Sequence, residues 1–271
     1  MLKGKVAFIT GASRGIGEAI ALRLANDGCA VAIVAKSTEE DPRLGGTIHS
    51  VAQKINDAGG RALAIKCDIR DEEQIIAAVQ QTNAILGGID FLVNNASAIM
   101  LTNTQQTETK RLDLVHSINI RGTFLVTKHC IPFLKKSENP HILTLSPPIS
   151  LAPGWIAPFA AYTVSKFSMS MMTIGWAAEF KNDGIAANSL WPMTTIATAA
   201  VKNMIGGETM MSMSRKPEIL ADCAAYILSQ PSRECTGNLF IDEVVLQQAG
   251  ITDLKHYAVN PGGPLQKDLY V

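Results

Sequence analysis

Short apolar runs alternate along the chain with longer stretches in which apolar residues recur every three or four positions. The runs at 6–9, 30–35, 62–66, 91–94, 142–146, 186–190 and 239–241 have strand length and carry apolar residues on both alternating sets of positions. Such runs read as strands buried on both faces of a parallel sheet. The longer stretches predict helices beginning near Gly15, Gly46, Asp71, Thr109, Ala161, Ile196 and Pro217. Asp71-Glu72-Glu73 makes an acidic first turn, and Pro217 fits a first helical position. The predicted fold is therefore α/β, with one parallel sheet of about seven strands flanked by helices. Residues 37–45 are too long and polar for a minimal turn and predict a surface loop. No repeat or low-complexity linker interrupts the pattern, so one domain is expected over 1–271, ending in a tail, 243–271, that is either folded over it or partly disordered.

Composition narrows the classes of partner. The chain has 24 Lys+Arg against 24 Asp+Glu, and this balance gives no basic surface for nucleic acid or anionic membrane. No apolar run is long enough to span a bilayer, and the first strand starts too early to leave room for a signal peptide, so cytoplasm is expected. Five scattered cysteines without Cys-x-x-Cys spacing read as reduced thiols, and the dispersed histidines give no metal site.

Two motifs carry chemistry. The first is Thr10-Gly11-Ala12-Ser13-Arg14-Gly15-Ile16-Gly17, between the first strand and a helical run. Glycines there let backbone approach a pyrophosphate and let helix pack on strand, while N–H groups at the helix start bind phosphate oxygens. Strand, turn and helix in that order predict a Rossmann-type, doubly wound sheet. The second strand ends in Ala35-Lys36-Ser37, with no acid to bind a ribose 2′-OH; Lys36 and Arg14 favour the 2′-phosphate of NADP(H) over NAD(H). The second motif is Tyr162-Thr163-Val164-Ser165-Lys166. Helical spacing puts the phenol and the ammonium on one face, where the cation is expected to lower the tyrosine pKa and make a general acid/base.

Together with Cys67-Asp68, Asn94-Asn95-Ala96, Asn119 and the segment 188–192, these motifs resemble the short-chain dehydrogenase/reductase family over nearly the whole chain. The resemblance implies an oxidoreductase in which Tyr162 exchanges a proton with the substrate oxygen. Lys166 would hold the nicotinamide ribose and Asn119 a relay water. It also implies cofactor contacts from Gly11, Ser13, Arg14, Gly15, Ile16, Gly17, Lys36, Asp68, Ile69, Asn94, Ala96, Pro192, Thr194 and Thr195. On this pattern residues 1–195 form the cofactor-binding core and 196–235 the substrate lid. The lid holds Met204, Met210, Met211 and Met213, which with Trp155 and Phe159 suit an apolar substrate.

The resemblance further implies a homodimer or homotetramer built on the helices at 109–134 and 161–180, with Met169, Met172 and Trp176 as candidate contacts. One departure matters for rate. Ile149 stands thirteen residues before Tyr162, where the family has a serine; Ser146, followed by Pro147-Pro148, and Ser150 are the alternatives. With that hydroxyl displaced, a dinucleotide-binding sensor or scaffold with weak or no catalysis is the competing expectation.

Overall fold

The computed structural model describes residues 2–271. Among them, seven strands form one parallel sheet: β1 (Val6–Thr10), β2 (Ala30–Ala35), β3 (Arg61–Lys66), β4 (Phe91–Asn94), β5 (His141–Thr144), β6 (Ala186–Trp191) and β7 (Leu239–Ile241). Their order is β3-β2-β1-β4-β5-β6-β7. The order reverses between β1 and β4, which opens a crevice at the carboxyl ends of the strands. This is the expected doubly wound, Rossmann-type sheet.

The helices are α1 (Gly15–Asn26), α2 (Ile48–Asp57), α3 (Glu72–Leu86), α4 (Thr109–His116), α5 (Thr123–Leu134), α6 (Pro153–Ile156), α7 (Ala160–Glu179), α8 (Ala199–Val201), α9 (Gly207–Ser212), α10 (Glu218–Ser229) and α11 (Asp242–Gln248). Strand alternation divides the core in two. Ile9 and Ile33 face Ile20, Leu24, Val51 and Leu220 of α1, α2 and α10. Phe8 and Leu92 face Ile75, Val79, Val126 and Trp176 of α3, α5 and α7. Apolar side chains on both faces explain why the strands read as unbroken apolar runs. Local signals agree: the Asp71 carboxylate accepts from the N–H groups of Glu73 and Gln74 to cap α3, and Thr47 with Ser50 forms a capping box on α2.

Four features differ from the sequence reading. The helix expected over 109–134 is interrupted by a π-helical segment, Ser117–Gly122, which carries Asn119. Such an insertion re-aims side chains without ending the helix, so apolar periodicity gives little sign of it. The helix expected from Ile196 is broken into α8, a π segment Lys202–Gly206 and α9, with Gly207 at φ 62. Helices α6 and α11 are additional. Met169 and Trp176 are buried in the chain's own core, and Met172 is half-buried against it, so these three do not form an outward surface. The exposed apolar residues of α7 and α5 are Val164, Met171, Ile174 and Phe124.

His141 starts β5 fully buried against Phe91, with Nε2 3.0 Å from the Gln230 carbonyl oxygen. Burial drives its pKa down to about 4, so the folded protein holds it neutral. The unfolded chain takes up a proton near pH 6.5 and the folded chain does not. Stability contributed by this group is therefore complete above that value and declines as pH falls towards 4, by about 3 kcal/mol. Urea unfolding across this window is expected to show that loss in wild type and to show most of it missing in His141→Phe.

Candidate active site

A cavity of about 420 Å³ occupies the crevice at the switch point. Its floor is the turn after β1. Gly11 has φ 65, and a Cβ there would lie 2.9 Å from the Ala96 Cα; a Cβ on Gly17 would lie 2.5 Å from both the Gly11 oxygen and the Asn95 amide nitrogen. Only glycine lets turn, helix and the loop after β4 meet this closely. The Thr10 hydroxyl accepts from the N–H groups of Asn95 and Ala96, and the Asn95 amide donates to the carbonyls of Thr10 and Gly11. Arg14 precedes α1 and gives it no side-chain cap, so the first-turn N–H groups are open to an anion. Gly11, Ser13, Arg14, Gly15 and Ile16 line the cavity beside them. Cradle and donor set fit the pyrophosphate of a dinucleotide.

Lys36 and Arg14 both line the cavity near the tip of β2. Arg14 is partly committed: Nε donates to the Gly45 carbonyl at 2.7 Å and Nη2 to that of Gly46 at 2.9 Å. The loop predicted at 37–45 is thereby folded against the turn. Asp68 and Ile69 line the opposite wall, where the Asp68 carboxylate accepts from Arg70 and also feels Lys36, which together hold it below the usual carboxylate range.

Tyr162 and Lys166, one turn apart on α7, reach the same cavity from its far side. The expected lowering of the tyrosine pKa is absent from this structure. Burial pushes the phenol well above its usual value, with Tyr270 and Asp268 adding to the rise. Burial also pulls the Lys166 ammonium down to about 7, opposed by Asp268. Nζ donates to the Leu145 carbonyl at 2.6 Å and sits 5.1 Å from the Trp191 ring centre. Desolvation outweighs the cation–phenol attraction that the spacing alone suggests. Asn119 is fully buried; its side chain exchanges bonds with both backbone groups of Ala98 and donates to the Ser165 hydroxyl.

Several expected residues stand elsewhere. Ser146 is fully buried outside the cavity lining, and its hydroxyl has no partner among the described residues. The carbonyl of Pro147, which follows it, accepts from the Ser170 hydroxyl on α7. Ser150 also lies off the lining, and Ser150 Oγ accepts a long bond from the Ala152 N–H. Asn94 donates to the Thr127 hydroxyl beneath the sheet, whereas Asn95, one residue on and so on the opposite face, lines the cavity with Ala96. Pro192 lines the cavity, but Thr194 and Thr195 are held behind it by the chain's last segment. Of the four lid methionines Met204 alone lines the cavity; Trp155 and Phe159 pack in the aromatic cluster around Tyr162. The sequence reading missed Trp191, Asp268 and Leu269, which complete the wall beside Lys166. No local signal marks the last two, since they arrive from a remote part of the chain.

The doubly wound sheet and its lined switch-point cleft define a dinucleotide-binding α/β protein. The family model described as short chain dehydrogenase matches residues 5–208, and the chain belongs to that family of nicotinamide-dependent oxidoreductases. Over 270 residues it is 52% identical to human hydroxysteroid dehydrogenase-like protein 2; all of this chain is covered, and it spans 64% of that relative's length. It is similar to a putative dehydrogenase from Xanthomonas campestris, with TM-score 0.96, 52% identity and coverage of 100% of this chain and 99% of that one. A metagenomic short-chain oxidoreductase solved in complex with NADP is more distant, with TM-score 0.73, 26% identity and coverage of 89% and 97%. Among the described residues no helix is long and apolar enough to cross a membrane, and no cluster of ligating side chains suits a metal.

Proposed function

We propose that the protein is an NADP-dependent oxidoreductase that interconverts an apolar alcohol and its carbonyl compound, with Tyr162 as proton donor and acceptor. The observation that carries this reading is the convergence of Tyr162, Lys166 and the glycine turn on one cavity. When bound, the dinucleotide supplies or accepts the hydride at its nicotinamide ring. The chain's own residues orient it and move the proton. The 11–17 turn would hold the pyrophosphate, Asp68 and Ile69 the adenine, and Ala96 and Pro192 the nicotinamide end. Lys166 would leave the Leu145 carbonyl for ribose hydroxyls, and its charge would bring the Tyr162 phenol down towards a working range. Asn119, placed by the π segment, would hold the water that returns protons from solvent.

Lys36 and Arg14 support NADP, as does the NADP complex of the metagenomic relative. A phosphate contact with a cation contributes about 1.5–3 kcal/mol. Lys36→Ala is therefore expected to reduce NADPH affinity about tenfold or more and to leave NADH affinity unchanged. Titration of both cofactors checks it; equal losses for the two would remove Lys36 from the phosphate site. The apolar walls Ile99, Leu101, Trp191 and Met204 support a terpenoid, steroid-like or fatty-chain substrate, consistent with the human relative's name. An NADP(H)-coupled screen of apolar aldehydes, ketones and alcohols tests activity and substrate class together.

One observation favours a second reading: neither Ser146 nor Ser150 lines the cavity beside Tyr162, and one missing oxyanion donor lowers rate about 10²–10³-fold. A dinucleotide-binding sensor would bind NADPH and fail the whole screen. The exposed row of Val164, Met171 and Ile174 with Phe124 supports a homodimer or homotetramer. Met171→Glu is expected to shift the light-scattering mass towards the monomer; an unchanged mass would place the contact elsewhere.

A further inference from the structure

The last segment of the chain is built into the cavity. The Gln266 carbonyl accepts from the Thr195 N–H at 2.9 Å, Lys267 bridges Thr194, and the Asp268 N–H donates to the Met193 carbonyl at 3.1 Å. The indole N–H of Trp191 then donates to the Leu269 carbonyl at 2.9 Å. Tyr270 seals the segment: it is 3% exposed, with its ring centre 5.1 Å from Phe167, 6.0 Å from Trp155 and 6.2 Å from Trp191. Its hydroxyl lies 3.0 Å from that of Thr163, which is on α7 between Tyr162 and Lys166. Tyr270 holds φ 72, a left-handed conformation that a non-glycine residue keeps only where its surroundings enforce it. The aromatic cluster does so. The position of Asp268 is therefore fixed from both sides.

Asp268 lines the cavity with Tyr162, Lys166 and Trp191. Its Oδ1 accepts from the Leu269 N–H at 2.6 Å, and no hydrogen bond takes up Oδ2 among the described residues. No ion pair joins it to Lys166, whose Nζ is on the Leu145 carbonyl. Burial has raised the carboxyl pKa to about 6, with Lys166 pulling it back only as the smallest influence. Asp268 is half-buried, so Oδ2 is open on the cavity side and can accept from a donor that enters. Two kinds of donor would enter this cavity at the tyrosine end: the ribose hydroxyls of the dinucleotide, which Lys166 would hold, and the substrate, which is left for Asp268.

We infer that Asp268 is a specificity-determining residue that accepts a hydrogen bond from a hydroxyl beside the reacting carbon, and that it turns away substrates with an anion there. This deepens the oxidoreductase reading of the cavity and rests on it: the substrate class becomes apolar carbonyl compounds with a neighbouring hydroxyl, and the corresponding diols. α-Keto acids are excluded, because like charges in a desolvated site repel strongly.

The test is calorimetric titration of protein saturated with NADP⁺, in which ketones bind without being reduced, with NADPH absorbance followed in parallel to show that the probe hydroxyl is not oxidised. The probes are a medium-chain hydroxymethyl ketone, the methyl ketone of equal length, and the corresponding α-keto acid. Wild type is expected to bind the hydroxymethyl ketone about tenfold more tightly than the methyl ketone, and the keto acid more weakly than either. Asp268→Leu should erase the preference for the hydroxyl, and Asp268→Asn, which keeps the shape, should relieve the exclusion of the keto acid. Affinity ratios that stay at wild-type values in both variants overturn the inference. So does a loss of NADP⁺ affinity with ratios unchanged, which would assign Asp268 to the cofactor, or failure of all three probes to bind wild type. NADPH oxidation with the same probes is followed separately. Binding in the predicted order without turnover would sink the oxidoreductase reading and leave the pocket assignment standing.

Discussion

Tyr162→Phe is expected to bind NADPH as wild type does and to lose turnover by about 10²–10⁴-fold. The substitution removes one oxygen and keeps the ring. That ring is buried with Met100, Val115, Phe167 and Tyr270, so the packing that holds α7 is preserved. What disappears is the phenolic proton at the tyrosine end of the cavity. The nearest serine candidates stand off the lining, which leaves Tyr162 without a hydroxyl substitute from that loop. Turnover of the best compound from the screen, compared with NADPH affinity by fluorescence, checks the expectation. Unchanged turnover would remove Tyr162 from the mechanism; parallel loss of both would make it a cofactor-binding residue instead.

Gly17→Ala has the second large effect. The added methyl carbon would stand 2.5 Å from the Gly11 carbonyl oxygen and from the Asn95 amide, and 3.0 Å from the Ala12 Cα. The Gly11 and Ala12 backbone cannot give way cheaply, and the Asn95 amide is held by the Thr10 and Gly11 carbonyls, so the turn must open. Overpacking of this kind costs about 1–3 kcal/mol, and the same shift displaces the N–H groups that face the pyrophosphate. A lower melting temperature together with at least a tenfold loss of NADPH affinity is expected. Gly154→Ala is the control, since a Cβ there meets nothing within 4 Å. If Gly17→Ala melts and binds as the control does, the close approach does not shape the phosphate cradle.

The two parts of the molecule were legible in the sequence to different degrees. Parallel strands are buried on both faces, so Val31–Val34 of β2 stand out without any tertiary knowledge. The glycine turn was legible because its need for close approach is met by residue type alone. Proton chemistry was not. The spacing of Tyr162 and Lys166 fixes their common face but says nothing of how deeply they are desolvated or that Nζ bonds the Leu145 carbonyl. Asn94 and Asn95 are adjacent in sequence and opposite in space; which one serves the cavity depends on the face of the sheet that carries the crevice. Between Ser146 and Ser150 the sequence could not choose, because which hydroxyl reaches the cavity depends on the path of the loop after β5; in the structure neither lines it. Asp268 was missed since no periodic pattern links it to α7.

The bridge between Thr194 and Lys267 also sets an order of assembly. Every strand lies before Asp242, and the core residues of both sheet faces lie before Ala258, so the sheet and both cores can form before the 266–270 segment is laid against Thr194. The wall beside Lys166 is then fitted last, onto a finished scaffold. The 259–265 stretch that leads to it is largely exposed, so proteolysis there is expected to open the wall beside Lys166 and to leave the residues of both sheet-facing cores in the chain.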